Sequence, residues 1–176
     1  MKSGEKGFTF VELLVAMVIM VTIGGAGAAA TFQVLKGAER GNSYMSAVRQ
    51  VENAGHWISR DALMAESIQT DNLTPPNFLI LNWVERDYVN QDIRHSATYF
   101  FQDVSGNTGK LMRRHWSSAG ANELVLVAEK IYYDPAQPGQ SSRANYAGPV
   151  LTVKLTSIIK DKIESKEYKI VHRPGM

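Results

Sequence analysis

Residues 8 to 30, FTFVELLVAMVIMVTIGGAGAAA, form a run of 23 positions that holds a single charge, Glu12. As a helix the run reaches about 35 Å at ~1.5 Å per residue, enough to cross a hydrocarbon layer ~30 Å thick. Such a segment is either removed or kept in an apolar environment, and three readings follow. Lys2 and Lys6 precede it and Ala26-Gly27-Ala28 or Ala28-Ala29-Ala30 offers a small-residue cleavage site near its end, the layout of a secretory signal peptide. An uncleaved single-pass anchor, its basic end held in the cytoplasm, is the second reading. The third turns on Glu12. A carboxylate in an apolar span costs on the order of 2.5–3.5 kcal/mol at mid-helix and calls for a partner. A cut after Gly7 would create one, a new α-amino group on Phe8 of the same chain or of a neighbouring copy. On this reading the partner of Glu12 is absent from the uncut chain.

The stretch KGFTFVELLVAMVIM resembles the class III leader junction of type IV pilins and of the pseudopilins of type II secretion systems. It has the short basic leader ending in glycine, then phenylalanine, then an acid at the fifth mature position and a long apolar helix. The resemblance implies that Gly7 ends the leader, that a prepilin peptidase cuts there and methylates the amine of Phe8, and that Glu12 meets the terminal amine of an adjacent subunit during assembly. Opposite charges in a low-dielectric setting attract strongly, and leaving one of them unpaired is costly, so such a pair could set filament register. Many major pilins carry a proline in this stem. Here the first proline is Pro75, and the stem carries Gly24, Gly25 and Gly27, each costing a helix roughly 0.8–1.0 kcal/mol relative to alanine. The glycines mark either a place where the stem bends or melts, or a surface that permits close helix packing.

Past the stem the pattern changes. From Thr31 to about Thr70 no proline intervenes, and Tyr44, Val48, Val51, Gly55, Ile58, Ala62 and Ala65 recur at steps of three and four. This spacing predicts an amphipathic helix with one face laid on a sheet, His56 and Trp57 packing beside the stripe. TDNLTPPN, 70 to 77, ends the helix. Six runs rich in β-branched and aromatic residues then read as strands: Phe78 to Glu85, His95 to Asp103, Lys110 to Trp116, Glu123 to Tyr133, Val150 to Ile159 and Glu167 to Arg173. VSGNTGK, 104 to 110, reads as a hairpin connection, and the polar stretch 134 to 149 as an exposed loop. The expected fold class is α+β, a long hydrophobic-to-amphipathic helix packed on an antiparallel sheet. The expected segments are a leader at 1–7, a transmembrane or filament stem at 8–30, an amphipathic helix at 31–70 and a β-rich head at 71–176. Within the head, TYFF, GKLMRRHW and ELVLVAEKIYY are similar to the minor pilins and the larger J-type pseudopilins. That likeness favours a tip-associated component.

Composition excludes more than it suggests. A net charge of +2 without a basic run gives no reason to expect nucleic acid. With no cysteine there is no disulfide framework, thiolate metal site or cysteine nucleophile, and the disulfide-closed loop of many pilins is not carried over. His56, His95, His115 and His172 lie far apart in sequence, without metal-ligand spacing. Asp71 with Asn72, or Asp134, offers oxygen ligands for calcium but no EF-hand pattern. The tripeptide Asn72-Leu73-Thr74 matches a glycosylation sequon, against which the following prolines argue. Trp83, Trp116, Tyr132 and Tyr133 are expected in core packing, with a recognition surface as the alternative. No nucleotide or nucleophile motif occurs, so no enzyme activity, catalytic residue, metal or cofactor is expected. The expected partners are other pilin or pseudopilin subunits, prepilin peptidase, a membrane assembly platform and, before assembly, the lipid bilayer. The expected location is the cytoplasmic (inner) membrane, crossed once with the head outside, and then a surface pilus or periplasmic pseudopilus. Two rivals stand: an exported soluble binding module with a conventional signal peptide, and an enzyme on a membrane anchor.

Overall fold

A computed structural model describes residues 9–87, 91–137 and 139–172. The expected leader 1–7, with Gly7, and Phe8 lie outside them. Two compact units divide the chain between Asn42 and Ser43.

In the first unit the described structure is helical from Phe10, the start of α1 (Phe10–Met64). Every described residue up to Asn42 is exposed, among them Phe10, Leu13, Leu14, Ile19 and Ile23. Two threonines in this apolar stretch turn their hydroxyls inward: Thr22 Oγ1 donates to Val18 O at 2.7 Å and Thr31 Oγ1 to Gly27 O at 2.9 Å. That local bond satisfies the hydroxyl within the helix itself. Gly24, Gly25 and Gly27 stay helical, with open space where a Cβ would stand.

The second unit is a helix laid on a sheet. Ser43, Ala47, Val51, Ala54, Gly55, Ile58, Asp61 and Ala62 form the buried stripe of α1. Val51, Gly55, Ile58, Ala62 and Ala65 are buried as their spacing predicts, whereas Tyr44 is exposed and Val48 half-buried. Trp57 packs against the core, but His56 is exposed. The helix stops at Met64 rather than near Thr70. Ala65 N–H closes the last turn on Asp61 O; Glu66 N–H instead donates to Asn82 O at 2.8 Å, and Ser67–Gln69 becomes β1. An available strand edge has overridden a helical tendency.

The remaining strands are β2 (Asn77–Arg86), β3 (Asp92–Ser105), β4 (Thr108–Ser117), β5 (Asn122–Tyr132), β6 (Arg143–Ala147), β7 (Val150–Ile159) and β8 (Lys162–Val171). All six strands expected from sequence are present; β8 begins earlier than expected, and β6 occupies part of the stretch expected to be a loop. The order is β1-β2-β3-β4-β5-β7-β6, with β8 also paired to β7, and all pairings are antiparallel. One side of β7 is shared: its first half pairs with β6, and Ser157 meets Ile131 of β5. Between β3 and β4, Gly106 and Asn107 both have positive φ, 58° and 61°, as a two-residue type I′ hairpin requires.

Alternation sorts each strand onto two faces. Leu79, Leu81, Ala97, Tyr99, Phe101, Leu111, Leu151, Val153 and Leu155 face the helix and are buried, each large side chain contributing ~1.5–3 kcal/mol. On the opposite face, cross-strand rows run Ile80–Thr98–Arg114–Leu124 and Asn82–Ser96–Trp116–Asn122, with Phe100–Met112–Leu126 beside them. β8 closes on the helix through Tyr168, whose hydroxyl donates to Val51 O at 3.1 Å. Gly55 is the residue that lets this ring approach, since a Cβ there would overlap it.

Candidate functional site

Glu12 sits in the first turn of α1 and closes a capping box with Thr9. Thr9 N–H donates to Glu12 Oε2 at 2.9 Å, Thr9 Oγ1 donates to the same oxygen at 3.0 Å, and Glu12 N–H donates to Thr9 Oγ1 at 3.3 Å. Two backbone donors left over at the helix start are thereby satisfied. The charge partner expected at Phe8 lies outside the described residues; the structure adds a neutral partner, Thr9, whose spacing from Glu12 was readable as S/T-x-x-E. The carboxylate stays on an exposed helix face, where an amine from elsewhere can reach it. The helix that follows is long and apolar enough to cross a membrane, and its apolar window is wholly exposed. An uncovered apolar surface and one carboxylate near its start thus stand on the same helix.

The head carries a second polar centre that sequence reasoning missed. Asp61, fully buried on α1, receives Tyr99 OH from β3 at 2.7 Å and Arg113 Nε from β4 at 2.5 Å on Oδ2, with Arg60 at 3.2 Å from Oδ1. Trp57 lies between the two arginines, 4.2 Å from the Arg60 guanidinium and 5.2 Å from that of Arg113. Burial would lower the Arg113 pKa, but the hydrogen bond and charge of Asp61 outweigh it and the guanidinium is held charged. Burial first, then Asp61, pushes the Tyr99 phenol far above its usual range. The signal for Asp61 was an acid three residues past Ile58 on an apolar stripe.

Beside this centre the sheet brings together two of the histidines that sequence places far apart. His95 Nδ1 and His115 Nε2 are 3.1 Å apart, with ring planes within 4°. Trp83 lies nearly parallel to both, and His95 Nε2 is 3.3 Å from a Glu85 carboxylate oxygen. That nitrogen is buried and the carboxylate is not aligned to hydrogen-bond it. Burial, then the charge of Arg113, then His95, lowers the pKa of His115. His172 is held differently, donating from Nε2 to Ala65 O at 2.7 Å, so Tyr146 OH donates to its Nδ1 at 3.0 Å. Among the described residues no group of three histidine, aspartate or glutamate side chains is placed to hold a metal. Asp134 accepts from Asn107, Tyr132 and the Ala136 N–H, the pattern of a turn-closing carboxylate. Trp83 is buried and Tyr133 stacks on Phe101, whereas Trp116 is 48% exposed.

Residues 2–29 match the prokaryotic N-terminal methylation motif. No curated protein and no solved structure matches the chain. This motif marks a prepilin leader that is cleaved and methylated, and family members associate with prepilin peptidase and with other pilin subunits. With the motif leading into an exposed apolar helix, and that helix continuing into an α+β head, the chain carries the processing signal of type IV pilins and pseudopilins on a pilin-like arrangement.

Proposed function

We propose that the chain is a minor pilin or pseudopilin, a structural subunit stored in the membrane and assembled through its N-terminal helix. A prepilin peptidase cuts between Gly7 and Phe8 and methylates the new amine. The stem then leaves lipid for a filament, Glu12 receiving the terminal amine of the adjacent subunit while Thr9 holds its carboxylate at the helix start. Before assembly the basic end lies in the cytoplasm and the head outside it. Afterwards the head decides where in a surface pilus or periplasmic pseudopilus the subunit sits. The chain does no chemistry of its own, and the energy of assembly comes from partner proteins.

The observation that carries this reading is the methylation motif running directly into an apolar helix whose large side chains are uncovered. Exposed apolar area on this scale calls for lipid or neighbouring helices. Mass-spectrometric sequencing of the mature N-terminus from the native host tests it. Methylated Phe8 supports the reading; a chain beginning at Thr31 belongs to an exported soluble module, and an intact Met1 to an anchored protein of another kind.

A further inference from the structure

The face of β2–β5 turned away from the helix is unusually apolar for the solvated side of an antiparallel sheet, where polar residues are the norm. Leu124 is 57% exposed and Leu126 44%, beside the half-exposed Trp116, and Phe100 and Met112 complete the patch between them. Arg94 and Arg114 stand on the same face, Arg114 with its guanidinium 5.1 Å from the Phe100 ring centre. No carboxylate occurs in the cross-strand rows that run through Leu124, Leu126 and Trp116. A cleft of about 450 Å³ opens at the Trp116 end, lined by Trp83, Val84, Arg94 and His95, with Glu66 of the segment before β1 among the rest. Tryptophan, methionine and arginine at the centre, acids confined to the edge at Glu66 and at Asp92, which pairs with Arg86, and a cleft to take an anchoring side chain are the composition of a protein–protein interface.

We propose that this face docks a different protein, one that presents apolar side chains flanked by carboxylates. Charge selects the partner. A second copy docked face to face about a two-fold axis would bring one arginine-bearing patch against another of the same sign, with no acid in the central rows to receive it. An acidic partner neutralises both. The side chains of Ser96, Thr98 and Asn122, fixed by the sheet between the apolar residues, supply directional hydrogen bonds that a fluid lipid surface does not use. The inference stands on the head alone and does not depend on how the stem assembles.

Photocrosslinking in the native host, with the full-length chain carrying benzoylphenylalanine at Leu126, tests the proposal against the same probe at Ile163 on β8. The expected result is an adduct from Leu126 with one other protein whose crosslinked peptide contains Asp or Glu. Arg114→Glu lowers its yield at least tenfold, and exchanging the partner's acid for lysine restores it. Arg94→Glu repeats the test should Arg114→Glu reduce the amount of folded chain. An adduct with another copy of this chain or with lipid, a yield no higher than from Ile163, or a yield that neither charge reversal alters would overturn it.

Discussion

Asp61 on α1 and Arg113 on β4, 52 positions apart in sequence, meet at 2.5 Å in the interior of the head, with Tyr99 of β3 on the same carboxylate oxygen. A helix and two strands are thereby tied at one point. Buried pairs gain little over apolar replacements of equal volume, but breaking one strands a charge.

Loss of one partner is therefore expected to cost far more than loss of both. Asp61→Leu or Arg113→Met alone should destabilise the detergent-solubilised chain by about 3–5 kcal/mol, and the double substitution by much less than the sum. Urea unfolding of the four chains of this cycle measures it; additive costs would rule the coupling out. Tyr99 adds an alkaline limb. Its raised pKa keeps the phenol protonated in the fold while the unfolded phenol ionises, so its contribution is full below about pH 10 and lost as pH rises past that value. Tyr99→Phe should remove this limb from the stability profile.

Acid acts on His115. The His115 pKa is lowered from 6.5, so below that value the unfolded chain takes up a proton that the fold resists. The associated stability is complete above about pH 6.5 and falls as pH drops toward the lower folded value. Arg113 and His95 oppose the charge, while Glu123 and Asp61 favour it. Melting temperature measured from pH 8 to 5 should decline for the native chain, and His115→Gln should flatten part of that decline. Trp83, parallel to both rings, provides a fluorescence report on the same titration.

What was legible in the sequence was local. The stem, the six longer strands and the Gly106-Asn107 turn follow from composition, alternation and φ preferences that neighbouring residues fix. The strands β1 and β6, three and five residues long, exist because β2 and β7 offer them partners, and nothing in SIQ or RANYA compels a strand alone. The polar centres were hidden for the same reason. His95 and His115 meet only because Ala97 pairs with His115, and Asp61 reaches Arg113 only once the helix is seated on the sheet. Glu12 stood out because Gly7 and Thr9 lie within five residues of it, although the cap is less conspicuous than the junction.

Close approach at Gly55 yields a third expectation. Gly55→Ala places a methyl group where the Tyr168 ring lies, so the ring must move and its bond to Val51 O is strained or lost. Overpacking of this kind typically costs about 1–3 kcal/mol, against a gain of up to ~1 kcal/mol from alanine's helix propensity. Gly55→Ala should therefore lower the melting temperature, and Tyr168→Ala in the same chain should recover part of the loss. A stabilised Gly55→Ala chain would show that β8 does not hold the ring where the structure has it.

The capping box separates two roles for Glu12 that a single substitution confounds. Thr9→Ala removes both bonds that the hydroxyl makes, its donation to Glu12 Oε2 and its acceptance from Glu12 N–H, and leaves the carboxylate. The helix start should lose about 0.5–2 kcal/mol. Glu12→Gln keeps a side chain able to close the box but removes the charge. If Glu12 acts in assembly by receiving an amine, Thr9→Ala chains should still enter filaments in the native host, while Glu12→Gln chains should be cleaved and then remain in the membrane. Immunoblotting of sheared or secreted filament against membrane fractions decides it. Equal incorporation of both variants would reduce Glu12 to a helix cap, and failure of both would assign assembly to the geometry of the helix end rather than to its charge.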